Sequence, residues 1–489
     1  MKKTLLLALL TVSSLIYAQD YRYTNTLFTN TIKTADIVYG TAPFLNTATN
    51  IDESSTYVGD LVMDIYTPDG DTETNRPAII FAHAGGFING HRNHEDIVLF
   101  CQELAKKGYV TATIDYRKGF YLVDDVPMHG TRAVYRGIQD GRAAIRYLRA
   151  NAAAYGVDPD KVYFGGSSAG AFIALHSIYM QESEKPAFAG PVSYTSLFIP
   201  FTGPDLGPLD NGANLSYNGT PDAVISLWGA IQTPDLITNE TTPIYLVHGT
   251  ADGTVPYDTG YPFAYPLMPT VYGSKQVNDK LNNLGFTNKE TYFVTGEDHE
   301  FYGTNNGDWP DVPNAFWDVI FDSSVNFLWN QHKPAVDFTE NSTGLSVDFT
   351  DASTGAISWL WDFGDGNTST QQNPTHIYTT AGSYEVKLYV ENDNKSWNET
   401  TKSLTYAPLA INDFETLDFT IYPNPTKDII NISSQTPLNK IELYSILGEK
   451  VLSTTTNLNQ LNITTLTNGI YIIKAYSNNT IAVKRLVKN

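Results

Sequence analysis

Val162-Tyr163-Phe164-Gly165-Gly166-Ser167-Ser168-Ala169-Gly170-Ala171-Phe172-Ile173-Ala174-Leu175 passes from a strand-like apolar triplet, through six small residues, into an apolar helical run. In frame, Gly166-x-Ser168-x-Gly170 is the G-x-S-x-G pattern of a serine carried on a sharp strand-to-helix turn. Such a turn lifts the hydroxyl clear of the sheet and sets it at the positive end of a helix. Glycine is needed on both sides, because a side chain there would collide with the neighbouring strand or helix. A pattern centred on Ser167 would need glycine at 169, where the chain has Ala169. Ser168 is therefore the candidate reactive group.

Two further segments carry the groups that a serine nucleophile needs. Upstream, Ala78-Ile79-Ile80-Phe81-Ala82 reads as a buried strand running into His83-Ala84-Gly85-Gly86-Phe87. Glycines after a strand let backbone N–H groups approach a carbonyl oxygen that gains negative charge in acyl transfer. Downstream, the apolar run 244–247 ends in His248-Gly249-Thr250-Ala251-Asp252-Gly253-Thr254-Val255-Pro256, and 291–294 leads into Gly296-Glu297-Asp298-His299. A serine hydroxyl is a poor nucleophile near neutral pH, so an imidazole must take its proton and later return it to the leaving alcohol. A buried carboxylate holds that imidazole in the useful tautomer. Ser168, Asp252 and His299 are the candidates for nucleophile, acid and base. His83 and His248 also read as structural histidines, and Asp298 and Asp222 are rival acids.

The segment His83-Ala84-Gly85-Gly86 resembles the H-G-G-G oxyanion loop of esterases and lipases of the hormone-sensitive-lipase type, with Ala84 replacing the first glycine of the triplet. That resemblance implies oxyanion donors at the N–H groups of Gly85 and Gly86, completed by Ala169. Strand signals at 61–67, 78–82, 110–116, 162–164, 223–227, 244–247 and 291–294 alternate with helix signals at 94–107, 131–154, 169–180 and 274–284. Near-continuous apolar strands alternating with helices imply a mostly parallel sheet covered on both faces. With the motif order Ser, Asp, His, this resembles the α/β-hydrolase fold, expected over residues 19–333. It implies no metal and no organic cofactor.

The helix expected at 131–154 carries Val134, Ile138, Ile145 and Leu148 on one face. Its arginines, Arg132, Arg136, Arg142, Arg146 and Arg149, read as solvated or paired with acids rather than as an anion site. Residues 181–220 interrupt the alternation and suggest a small cap over an acyl pocket, lined by Phe188, Tyr194, Phe198, Phe201 and Tyr217, although plain packing fits them equally. Cys101, the single cysteine, falls on the apolar side of a helix and reads as core.

Residues 1–18 have the pattern of a secretory signal peptide: Lys2-Lys3, an apolar core over 5–16, and Ala18 before Gln19. The apolar stretch is short for a membrane span, and no later segment has the length. Beyond 333 the chain turns β-rich. Residues 334–407 hold Trp359-Leu360-Trp361-Asp362-Phe363-Gly364-Asp365-Gly366, which resembles a PKD domain, an Ig-like β-sandwich. Trp359 and Trp361 share one strand face and read as core, and Asp362 and Asp365 read as turn-stabilising. Residues 408–489 contain Tyr422-Pro423-Asn424-Pro425, Leu447-Gly448-x-x-Val451, Asn468-Gly469-x-Tyr471 and a basic end. This resembles the C-terminal sorting domain of the type IX secretion route of Bacteroidetes and implies that machinery as a partner, with release or surface attachment outside the cell.

A net charge of −21 argues against nucleic acid as a partner. The expectation is a secreted serine hydrolase of carboxylic esters, acting on acetyl or feruloyl groups of a plant polysaccharide. Alternatives are a polyester hydrolase of the cutin or PET type, a general short-chain carboxylesterase or lipase, and a surface adhesion protein whose hydrolase domain is inactive.

Overall fold

The computed structural model describes residues 21–46, 53, 55–120, 125–196, 199–238, 241–407, 417–478 and 480–489. The expected signal peptide (1–18) and Phe198 lie outside these residues, as does the side chain of Phe201. Eight strands form the main sheet: β1 (Thr31–Leu45), β2 (Thr56–Pro68), β3 (Arg76–Ala82), β4 (Val110–Ile114), β5 (Val157–Ser167), β6 (Val224–Leu227), β7 (Ile244–Gly249) and β8 (Lys289–Val294). Their order is β1-β2-β4-β3-β5-β6-β7-β8. From β4 to β8 all neighbours are parallel, whereas β1–β2 and β2–β4 are antiparallel.

Every residue of β3 is buried, because helices cover both faces. Ala78, Ile80 and Ala82 face α2 (Val126–Ala150) and α3 (Ala169–Tyr179), packing with Ile138, Ile145 and Ile173. Ile79 and Phe81 face the other way, into a cluster with Phe100 of α1 (Glu95–Ala105) and Ile320 and Leu328 of a helix at Ala315–Asn330. Another helix, Ser274–Asn283, adds Val277 and Leu281 to the first cluster. Cys101 is free and buried on α1, as its spacing suggested, and burial pushes its thiol up.

The arginines of α2 are paired with acids, as expected, but they are buried rather than solvated. Arg132, Arg136 and Arg146 are at most 2% exposed. Arg132 Nε donates to Glu53 Oε2 at 2.5 Å, and its other nitrogens donate to the carbonyls of Phe188, Gly190 and Pro204. Burial alone would raise the Glu53 carboxyl; the hydrogen bond to His129 and the charges of Arg136 and Arg132 outweigh it and bring it down to about 2. Arg142 and Arg146 hold Asp210, and Arg149 holds Asp222 and the carbonyls of Asn218 and Thr220. Residues 181–220 are thus fastened along α2 by their own backbone carbonyls.

Contacts divide the chain into two compact units. One joins the main-sheet domain to Asp348–His376 and Tyr384–Leu404, and the other holds Asn341–Val347, Ile377–Ser383 and Thr405–Asn489. Within the first, Trp361 is fully buried between Phe338 and Phe349 at ring separations of 5.1 and 5.4 Å, which makes it a sandwich-core residue. Trp359 is half-buried, and Asp362 and Asp365 accept from the N–H groups of Gly364 and Asn367 in the turn. The second unit contains a three-stranded and a four-stranded antiparallel sheet over 419–488 with a shared apolar core.

Also within the first unit, the turn 392–397 is built into the main-sheet domain. Asn394 Nδ2 donates to Asn75 O and Asp158 Oδ2 at 2.8 and 2.9 Å, and Tyr23 OH donates to Asn394 O. Ser396 Oγ meets His332 Nδ1 at 2.7 Å, and Trp329 packs on Trp397 at 4.8 Å. Losing a buried partner strands the groups it served, at about 1–3 kcal/mol. Asn394→Ala is therefore expected to lower the unfolding free energy by about that amount. Denaturant titration followed by tryptophan fluorescence would read this loss, and an unchanged midpoint would contradict the built-in role of the turn.

Candidate active site

Ser168 stands between the end of β5 and the start of α3, with φ 53°, and is 6% exposed. A Cβ on Gly166 would lie 2.1 Å from the carbonyl carbon of Gly170, and one on Gly170 would lie 2.1 Å from Ala82 O. Both glycines are therefore required by backbone contact. Ser168 N–H donates to Leu227 O on β6, which ties the turn to the next strand. Behind it, Trp228 Nε1 donates to Ser167 Oγ at 3.0 Å, and the Trp228 ring meets His299 edge-on at 6.1 Å.

Ser168, Asp252 and His299 converge. His299 Nε2 lies 3.0 Å from Ser168 Oγ, and His299 Nδ1 lies 2.7 Å from Asp252 Oδ2. Asp252 Oδ1 accepts from the N–H groups of Thr254 and Val255, both at 2.8 Å. Burial works to raise the Asp252 carboxyl, but hydrogen bonds to His248 and His299 dominate and hold it far below the usual range.

The rivals have other partners. His248 Nδ1 meets Ser274 Oγ at 2.8 Å, while its Nε2 lies 3.0 Å from Val255 O and 3.2 Å from Asp252 Oδ2. His83 is fully buried, stacked on Tyr116 at 4.3 Å, and burial pulls it well below its ordinary range. Asp298 Oδ1 accepts from the N–H groups of Gly253 and His299, so it joins the two loops and does not face the imidazole nitrogens. Asp222 binds Arg149 and the Val162 N–H.

Gly85 and Gly86 have φ 121° and 59°, and a Cβ on Gly85 would lie 2.4 Å from Asn89 O. Their loop folds back through Ile88 N–H and Asn89 N–H, which donate to Gly85 O. Gly86 and Ser168 border the same two cavities. Ala169 opens α3, so its N–H has no acceptor within the helix.

Those cavities differ in chemistry. A wide one of about 520 Å³ is bordered by polar groups, among them Asn89, Asp298, Thr304, Asn305 and Asn306. A narrow one of about 70 Å³ is walled by Phe87, Phe120, Phe172, Phe263, Met268 and Val271. Among the described cap candidates, Phe188, Tyr194 and Tyr217 do not border this wall. Phe188 and Tyr217 are exposed, and Tyr194 packs edge-on against His129 at 5.2 Å. Besides Phe87, Phe120, Val134 and Phe172, the apolar wall is made by Val255 and by 262–271, a run that the sequence did not mark as part of the site. Its signal was the proline-braced run Tyr261-Pro262-Phe263-Ala264-Tyr265-Pro266-Leu267-Met268-Pro269.

Among the described residues, no group of three or more His, Cys, Asp or Glu side chains could hold a metal ion. One buried acid lies beside the site. Asp96 accepts from Tyr302 OH at 2.7 Å and from Ile97 N–H at 2.6 Å. Burial first, and then the charge of Glu300, push its carboxyl up to about 8 against the pull of the Tyr302 hydrogen bond.

The parallel sheet, the strand-to-helix serine and the hydrogen-bonded Ser–His–Asp set define an α/β-hydrolase domain. Residues 63–197 match the family model described as BD-FAE, residues 332–406 the PKD domain, and residues 420–489 the secretion system C-terminal sorting domain. The chain therefore carries a BD-FAE-type α/β-hydrolase domain, a PKD domain and a C-terminal sorting domain. A probable isoprenylcysteine alpha-carbonyl methylesterase of Arabidopsis thaliana is 27% identical over 42% of this chain and 44% of its own length. Carboxylesterase 3B of Mus musculus is 29% identical over 46% of this chain and 42% of its own length. The chain thus spans less than half of these relatives. Thermogutta terrifontis esterase 2 phosphorylated by paraoxon superposes with a TM-score of 0.40 at 20% identity, covering 60% of this chain and 94% of that one.

Asp96 gives a signed pH expectation. The native state keeps its proton up to about 8, whereas an unfolded aspartate releases its proton near 4. Its contribution to stability is full below about pH 4 and is lost as pH rises towards 8. Relative to wild type, Asp96→Asn should gain melting temperature steadily between pH 5 and 8. Thermal melts across that range test this, and a wild-type-minus-variant difference that stays flat would contradict it.

Proposed function

We propose that the main-sheet domain is a serine hydrolase of carboxylic esters that works through an acyl-enzyme. The observation that carries this reading is the continuous line from Ser168 Oγ to His299 Nε2 at 3.0 Å and from His299 Nδ1 to Asp252 Oδ2 at 2.7 Å. Ser168 Oγ attacks the ester carbonyl carbon while His299 Nε2 takes its proton. Asp252, ionised throughout, orients the ring and offsets the charge it gains. The N–H groups of Gly85, Gly86 and Ala169 receive the developing oxyanion. Collapse breaks the carbon–oxygen bond, and His299 returns the proton to the leaving alcohol. Water then attacks the acyl-enzyme with His299 again as base, which regenerates Ser168 and releases the acid. These steps need no metal or organic cofactor.

The two cavities support an orientation for the ester. Its acyl group takes the narrow apolar slot, and its alcohol takes the wide polar side. Amide, hydroxyl and carboxylate groups around 520 Å³ suit a hydroxyl-rich alcohol, such as a sugar of an acylated polysaccharide. The sorting domain supports secretion to the outer surface or beyond, with the type IX machinery as the partner that recognises it.

Ser168→Ala should lower kcat on a short-chain aryl ester by roughly 10⁶-fold, and Asp252→Asn by about 10⁴-fold, with the melting temperature of Ser168→Ala unchanged. A fluorophosphonate probe should label the wild type once, at Ser168. An unlabelled wild type would instead favour an inert adhesion domain.

A further inference from the structure

Beyond the narrow slot lies a second chamber of about 70 Å³ that the reaction itself does not require. Gly130, Val134, Phe172, Pro269 and Val271 line both, so the two chambers meet along a shared wall made by α2, α3 and the 262–271 run. The near chamber, also about 70 Å³, is roughly half the size of the ~150 Å³ cavity known to hold a benzene ring. An acyl group longer than a few carbons must therefore leave it, and the second chamber is where the apolar path continues.

The far end is polar yet uncharged. His176 Nδ1 meets Phe172 O at 2.8 Å, and its Nε2 accepts from Gln232 N–H at 3.1 Å. Both ring nitrogens are thus occupied, and burial pulls the imidazole down to about 4, so it is neutral in the working range. Tyr135 OH donates to Gly207 O. Among the described residues that border this chamber none is cationic, and the nearest ammonium, Lys185 Nζ, lies over the Tyr135 ring at 5.9 Å and is paired with Asp205.

Resting on the esterase reading above, we propose that the second chamber is an acyl subsite and that Val134 and Phe172 set acyl length. The site then takes an extended, uncharged acyl group in preference to acetyl, and rejects a dicarboxylic half-ester of equal length. Val134 is only half-buried on α2, so a larger side chain there grows into the passage. Phe172 is 8% exposed on α3, and its removal merges the chambers.

The test is kcat/KM on a series of p-nitrophenyl esters from acetyl to decanoyl, with the hemisuccinate included, for wild type, Val134→Phe and Phe172→Ala. Wild type should favour hexanoyl over acetyl by about tenfold or more, the scale at which an apolar pocket discriminates by methylene groups. Val134→Phe should reverse that ratio, and Phe172→Ala should move the optimum to longer chains. Circular dichroism checks both folds, and the opposite sign expected of the two variants separates blocking from general damage. A wild-type optimum at acetyl, or one profile shared by wild type and both folded variants, overturns the proposal. Absence of turnover on every ester by the folded wild type would instead overturn the esterase reading.

Discussion

The approach of β3, β5 and α3 to one another around Ser168 is the contact on which the rest depends. A single added methyl at Gly166 or Gly170 would sit about 2.1 Å from backbone atoms, so neither position tolerates any side chain without moving the strand or the helix. That contact forces Ser168 to a positive φ (φ 53°, ψ −113°), a sparsely populated conformation that costs a non-glycine residue about 1–3 kcal/mol. The surrounding structure sustains it through the Ser168 N–H bond to Leu227 and through α3, whose eleven residues are all buried. With that turn fixed, the positions of the loops after β7 and β8 follow from parallel register, since His248 pairs with Phe293 and Gly249 with Val294. Asp252 and His299 therefore leave the sheet side by side.

The second constraint is electrostatic. α2 carries five arginines into the interior, an arrangement that would be ruinous unpaired, since an isolated buried charge costs several kcal/mol. Three carboxylates pair with them, and a row of carbonyls from 188–220 takes up most of the remaining donors. Asp210 and the backbone carbonyls of the insertion thus pair with the arginines of α2, and Pro186 of the same segment borders the chamber beyond the narrow slot. The expectation of a cap rests on length and aromatic content, and neither feature reports where the backbone carbonyls point.

Much of the site could be read from the sequence because its parts lie at strand ends, where an apolar run followed by Gly, Asp or His marks both the strand and the functional loop. The strands from 61 to 294 were readable for the same reason: burial on both faces leaves unbroken apolar runs. β1 was not readable. It is an antiparallel edge strand with irregular register, largely exposed, and its sequence TIKTADIVYGTAPFL has neither alternation nor an apolar run. The start of α2 at Val126 was also missed, because Pro127, Gly130 and the preceding acids read as loop. Pro127 is in fact accommodated in the first turn, where a missing N–H costs nothing. The wall at 262–271 escaped because its order comes from three prolines and a few backbone bonds, and it has no helical or strand period.

That wall also explains the asymmetry of the cleft. Phe263 and Ala264 are successive non-glycine residues with φ 57° and 51°, and such strain persists only where the surroundings hold it. Here Phe263 N–H donates to Thr254 O at 2.7 Å, and Ala264 and Tyr265 bond back to Tyr261 and Pro262. The result is a phenyl ring, half exposed, that borders both the polar and the apolar cavity. A ring held there by backbone strain divides the space above Ser168 into two sides of unlike polarity. In the reaction proposed above, that division sets the direction of the ester, since reversing a hydroxyl-rich alcohol would bury its hydroxyl groups against Phe87, Phe120 and Met268 without partners.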